Sequence, residues 1–210
     1  MSNRKLFYES ILIHLLAWWG VRILLGQASF MHSVENSPQW FAIRLARAAL
    51  AIGIVLAWAS WRKIAWQDFG LGNQYFWRNF AIAFGSVVVL WFIVVFIRGT
   101  PLWAPNPIGY EMRTLAVATA IVDVLAQQLP TFGLLQGFGM KHWNPVAAFG
   151  LAWGSFSLAH LIGNSLPTIL LAAVVGLLFG ALLQRTKNLG AGLGIHFAFY
   201  FMLAILGWGA

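Results

Sequence analysis

The sequence predicts an all-α fold: a polytopic membrane helical bundle of about seven transmembrane helices, forming one integral-membrane domain over residues 1–210. Three observations carry this. Hydrophobic residues make up 60% of the chain and charged residues 9%, against roughly 25% charged in a soluble domain. Apolar runs of about twenty residues, the length that crosses a bilayer, recur along the chain. The charged or glycine- and proline-containing segments between them are too short for a separate soluble domain.

The spans fall near residues 6–26, 40–61, 76–97, 114–138, 145–163, 166–184 and 189–208. The first follows Arg4 and Lys5. Its apolar stretch is longer than the roughly 7–15 residues of a cleaved signal and contains His14 and Arg22, so it reads as an uncleaved span. After the second span, "KIAWQDFGLGN" is an amphipathic connector ended by glycines. Trp66, Phe69 and Leu71 lie on one side of it, with Lys63, Gln67 and Asp68 on the other. The loop after the third span, "RGTPLWAPNPIGYEMR", holds three prolines and two glycines. These argue against a helix, and the loop is long enough to fold over the mouth of a site. Small-residue faces on the last two spans, Gly176 and Gly180 in "GLLFG" and the run Gly190, Gly192, Gly194, allow close helix approach. They serve either a partner helix or, on the plainer reading, packing within the bundle.

Alternate loops differ in charge. One set carries Arg4, Lys5, Arg62, Lys63, Lys141, Arg185 and Lys187; the other carries Arg98 and Arg113 with Glu35 and Glu111. The excess of Lys and Arg marks the cytoplasmic side, which places the amino terminus inside and the carboxyl terminus outside. Trp18, Trp19, Trp40, Trp58, Trp61, Trp77, Trp103 and Trp208 lie near span ends, where indole rings anchor at the interface. The formal charge of +8 is scattered over span ends rather than gathered in a stripe. It therefore points to the lipid bilayer and not to nucleic acid. No cysteine is present, which excludes disulfides, thiolate metal sites and a cysteine nucleophile.

The informative residues are the polar ones at membrane depth, because each is costly in lipid and so marks a candidate site. The fourth span holds Asp123, Gln127 and Gln128. The fifth holds Ser155, Ser157, His160 and Asn164 in "GSFSLAHLIGN", and the last holds His196 and Tyr200 in "GLGIHFAFY". Asp123 and Gln127 share a helix face, as do Phe156, His160 and Asn164, and as do His196 and Tyr200. Three such faces can close around one polar pocket. The plainer reading is interhelical hydrogen bonding, worth about 0.6 kcal/mol per contact on average.

The order of these motifs, "QQLPTFG", "FSLAH" and "HFAFY", together with "DFGLGN" ahead of a core span, resembles the CPBP intramembrane proteases. These are also called CAAX-protease and bacteriocin-processing or type II prenyl endopeptidase proteins. The resemblance covers most of the chain, with a CPBP-like core at about residues 66–205. It implies a first motif Glu-Glu-x-x-x-Arg-Gly, a second Phe-x-x-x-His and a third His-x-x-x-Asn. The first glutamate and first histidine would activate a water, while the last histidine and asparagine would stabilise the oxyanion. Here Gln127 and Gln128 stand for the glutamates, Phe132 for the arginine and Tyr200 for the asparagine; Gly133, Phe156, His160 and His196 match. A bacterial inner-membrane location is the corresponding expectation.

A carboxylate accepts a proton near neutral pH and a carboxamide does not. The degenerate positions Gln127, Gln128, His160, His196 and Tyr200 therefore predict a catalytically silent family member: a scaffold, assembly factor or accessory subunit that binds the transmembrane helix of a membrane-protein partner. One alternative is an endopeptidase with an altered site, using His160, His196 and a carboxylate relocated to Asp123, or one inactivated by Glu-to-Gln replacement. Asp123 lies one turn, about 5.4 Å, from Gln127. Another is a subunit in which His160, His196 or His14 ligates a pigment, haem or metal. Two histidines without carboxylates leave a zinc site incomplete, and no metal or other cofactor is assigned to this chain alone. Pro130 is expected to kink the fourth helix and free a carbonyl for a glutamine donor.

Overall fold

The computed structural model describes residues 3–25, 37–72, 74–99, 110–161 and 166–205. Among them are seven main helices and no strand. They are α1 (residues 3–25), α2 (Pro38–Arg62), α3 (Phe76–Arg98), α4 (residues 110–142), α5 (Pro145–Ala159), α6 (Leu166–Thr186) and α7 (Gly190–Ile205). All but α5 and α7 are long and apolar enough to cross a bilayer; those two are apolar but shorter. The predicted loop lid and Asn164 lie outside the described residues, apart from Gly99 and the first turn of α4 at Tyr110, which is already helical.

Local chemistry sets the helix ends. Ser37 accepts a hydrogen bond from the Trp40 amide with Pro38 in the first turn, and Lys63 closes α2 in the left-handed conformation. Asn144 accepts from the amides of Val146 and Ala147 at 2.9 Å, again with proline next in line. The connector between α2 and α3 forms a single 3-10 turn, Trp66–Phe69, ended by Gly70 at φ 74°. Its Phe69 is fully buried, stacked toward Phe138 at 6.3 Å, whereas Trp66 is exposed. Of the apolar side expected for the connector, Phe69 packs into the bundle while Trp66 stays exposed on its surface. Asp68 receives Lys141 at 2.5 Å, tying the connector to the end of α4.

The centre of the bundle is α4. It runs as an α-helix to Gln128 and widens to a π-helix over Leu129–Phe138, ten consecutive buried residues, before resuming at Gly139. Pro130 has no amide hydrogen to complete the α ladder, and the wider register accommodates the gap without ending the helix. The donors of the two adjacent glutamines go to α7, from Gln127 to Tyr200 and from Gln128 to His196, and the Pro130 carbonyl is approached by His14 at 3.0 Å.

The glycines of α6 and α7 face into the bundle. An added Cβ would lie 2.9 Å from Phe156 at Gly176 and 2.6 Å from Phe149 at Gly180; it would lie 2.5 Å from the Phe76 carbonyl at Gly190 and 2.4 Å from the Phe80 carbonyl at Gly194. Their role is internal packing rather than a surface for a partner. The tryptophan belt also needs correction. Trp61 and Trp77 are exposed as anchors should be, but Trp18 and Trp58 are buried. Trp19 donates to Ser155 at 3.0 Å and Trp40 stacks on Arg44, while Trp103 and Trp208 lie outside the described residues.

Candidate functional site

The first and third motifs meet. Gln128 on α4 lies 3.1 Å from His196 Nδ1 on α7, and Gln127 donates to the Tyr200 hydroxyl at 3.3 Å. The two contacts follow from the helical period: neighbouring glutamines on α4 project about 100° apart and reach residues one turn apart on α7. Close approach of α7 depends on Gly192, where a Cβ would stand 3.3 Å from Gln128 Oε1. Gln128 is fully buried and its Oε1 has no hydrogen-bond partner among the described residues.

The second motif joins through its aromatic member and its histidine. Phe156 packs against Phe132 (5.4 Å) and Phe179 (5.8 Å) and meets His196 edge-on at 6.0 Å. Phe132, standing where the family motif has arginine, is wholly buried in this aromatic cluster. An apolar ring there is consistent with neutral glutamines nearby, since a buried guanidinium without a carboxylate would be an uncompensated charge. His160 caps the end of α5, with Nδ1 2.8 Å from the Phe156 carbonyl. That contact places the ring proton on Nδ1 and leaves Nε2 as an acceptor. His160 is within electrostatic range of His196.

Asp123 does not stand free. Arg44 on α2 grips its Oδ2 through both Nε, at 2.6 Å, and Nη2, a salt bridge within the bundle. A carboxylate so engaged has its charge balanced by Arg44. Arg44 also lies over the rings of Trp40 (4.3 Å) and Tyr200 (5.7 Å), so that Asp123, Arg44, Tyr200 and Gln127 form one connected polar group. Arg44 was not among the residues singled out from the sequence. The signal was present, in "FAIRLARAALAIG", as two arginines inside an apolar span.

His14 belongs to a separate cluster. Its Nδ1 faces the Pro130 carbonyl, and its Nε2 is 2.7 Å from Ser155 Oγ, which also accepts from Trp19. Both ring nitrogens are therefore engaged within the bundle. Gln136, likewise missed in the sequence, donates to the Gly180 carbonyl at 2.6 Å and fastens α4 to α6. Ser157 bonds back to its own helix at Trp153. Among the described residues no three His, Asp or Glu side chains gather as a metal site would require.

The arrangement can hold and orient hydrogen-bonding groups between α4, α5 and α7. Among the described residues, the carboxylate that neighbours it, Asp123, is engaged by Arg44.

Residues 110–202 match the family model for type II CAAX prenyl endopeptidase Rce1-like proteins. The match begins with α4 and ends within α7, so it encloses all three motifs and agrees with the resemblance to the CPBP proteases. No curated protein and no solved structure matches the chain.

Proposed function

From a prenyl-endopeptidase-like segment whose carboxylates are replaced, we propose a catalytically silent membrane protein that works by contact, holding a partner's transmembrane helix as a scaffold, assembly factor or accessory subunit. One observation carries this reading: both glutamine side chains are committed to His196 and Tyr200, while Asp123 is committed to Arg44. A Gln-for-Glu exchange keeps the pocket's shape and hydrogen bonds but removes the group that would activate water. An apolar groove of about 410 Å³ between α3, α6 and α7, lined by Ile82, Val87, Leu90, Leu178 and Ile195 among others, offers an apolar surface on which part of a partner helix could rest.

The test is gentle purification from native membranes, intact-mass identification of all co-migrating chains, and an absorbance spectrum of the same fraction. A defined membrane-protein partner at fixed ratio is expected, and the fraction should leave membrane-embedded peptides uncut. Migration alone, or cleavage that disappears in His160→Ala, would overturn the reading and favour an altered-site peptidase. A visible absorption band held at fixed ratio by the isolated chain would move it toward a pigment subunit.

A further inference from the structure

The half of the bundle that carries Gln127 holds more positive charge than the described residues balance. Arg22 on α1 and Arg47 on α2 line one small cavity, of about 30 Å³, with Asp123, Gln127 and the apolar faces of Ala48, Ala51 and Ala126. Asp123 is already engaged by Arg44. The other carboxylates with described side chains, Glu9 and Asp68, lie at the opposite end, paired with Arg62 and Lys141. Among the described residues three guanidiniums thus stand around one carboxylate, a local balance of +2. Arg22 and Arg47 are close enough to act on one another electrostatically. Like charges half-buried in an apolar bundle repel strongly in that low dielectric, and an intramembrane arginine without a counter-charge is costly.

We propose that this cavity is a binding site for one phosphate-class oxoanion, held between the guanidiniums of Arg22 and Arg47. The arginine fork matches phosphate oxygens bidentately. Trp18 lies 5.4 Å below the Arg22 guanidinium, and the Asp123 pair fixes Arg44 beside the cavity. Gln127 also lines the cavity. The same chemistry is offered by the headgroup phosphate of an anionic phospholipid and by free phosphate. The inference rests on the arginines alone and holds whether or not the glutamine site is silent.

The experiment uses the full chain in a neutral detergent. Native mass spectrometry compares retention of phosphatidylglycerol with that of phosphatidylcholine of equal chain length, and thermal unfolding is followed against inorganic phosphate with chloride as control. A lipid occupant predicts one phosphatidylglycerol per chain, preferred at least tenfold, with the preference lost in Arg22→Gln/Arg47→Gln. A soluble occupant predicts no lipid preference but a rise in unfolding temperature with phosphate that depends on the same two arginines. If the unmodified protein prefers neither, the proposal fails, and this comparison stands even where the double variant does not fold. It fails equally if the folded double variant keeps the preference.

Discussion

Asp123 and Arg44 illustrate how a membrane bundle makes a charged pair tolerable and then depends on it. Each is costly alone, and their contact, helped by the Trp40 ring above the guanidinium, leaves neither charge orphaned. Breaking one side should therefore cost far more than removing both. Asp123→Asn is expected to destabilise the protein by about 3–5 kcal/mol, and the double change Asp123→Asn/Arg44→Met by much less. Detergent unfolding of the two single variants and the double variant closes the cycle; additive losses would show that the pair is not coupled. At this scale the sequence was only half legible. Asp123, Gln127, Gln128, His196 and Tyr200 stand out as polar residues in apolar runs, and the helical period already put them on common faces. What the period cannot give is the partner across the bundle. Nothing local says that Asp123 pairs with Arg44, 79 positions away, or that Ser155 is met by His14.

Helix packing in this protein is governed by where glycine permits backbone approach. In lipid there is little hydrophobic drive between helices, so close van der Waals contact carries more of the association. Gly194 is the sharpest case, with the Phe80 carbonyl of α3 at 2.4 Å from the position of an added Cβ. Gly194→Ala should push α7 from α3 and cost about 1–3 kcal/mol through overpacking, and it should lengthen the Gln128 to His196 contact. Gly150 and Gly85 have nothing within 4 Å of that position, so alanine there is expected to be neutral or slightly stabilising through helix propensity. Unfolding measurements on the three variants compare the sites directly; equal effects would mean that the close approach is not limiting. The spacing of small residues was visible in the sequence, but the surface they meet was not. The same limit applies to α4, where Pro130 signalled an irregularity without revealing that the outcome would be ten residues of π-helix. A proline removes one donor, and whether the helix kinks or widens depends on the packing of its neighbours.

Across the whole molecule, charge is divided between two ends and the candidate site sits beside one of them. Near the connector Lys141 pairs with Asp68 and Arg62 with Glu9, while at the other end, among the described residues, Arg22, Arg44 and Arg47 stand around Asp123. The two glutamines, adjacent in sequence, consequently lie in different electrostatic surroundings. Gln127 is half-buried and lines the arginine cavity; Gln128 is fully buried against His196, with the aromatic cluster of Phe132, Phe156 and Phe179 nearby. A carboxylate restored at each position should behave oppositely. Gln127→Glu gains cationic neighbours and is expected to leave stability unchanged or raised, and to weaken oxoanion binding by filling the cavity's need for negative charge. Gln128→Glu places a fully buried carboxylate against His196, and a loss of about 3 kcal/mol or more is expected. Unfolding of the two single variants in one detergent, with phosphatidylglycerol retention measured on each, tests the asymmetry. Equal destabilisation would mean that the arginines do not reach Gln127. A stable Gln128→Glu would mean that the aromatic cluster can admit the charge.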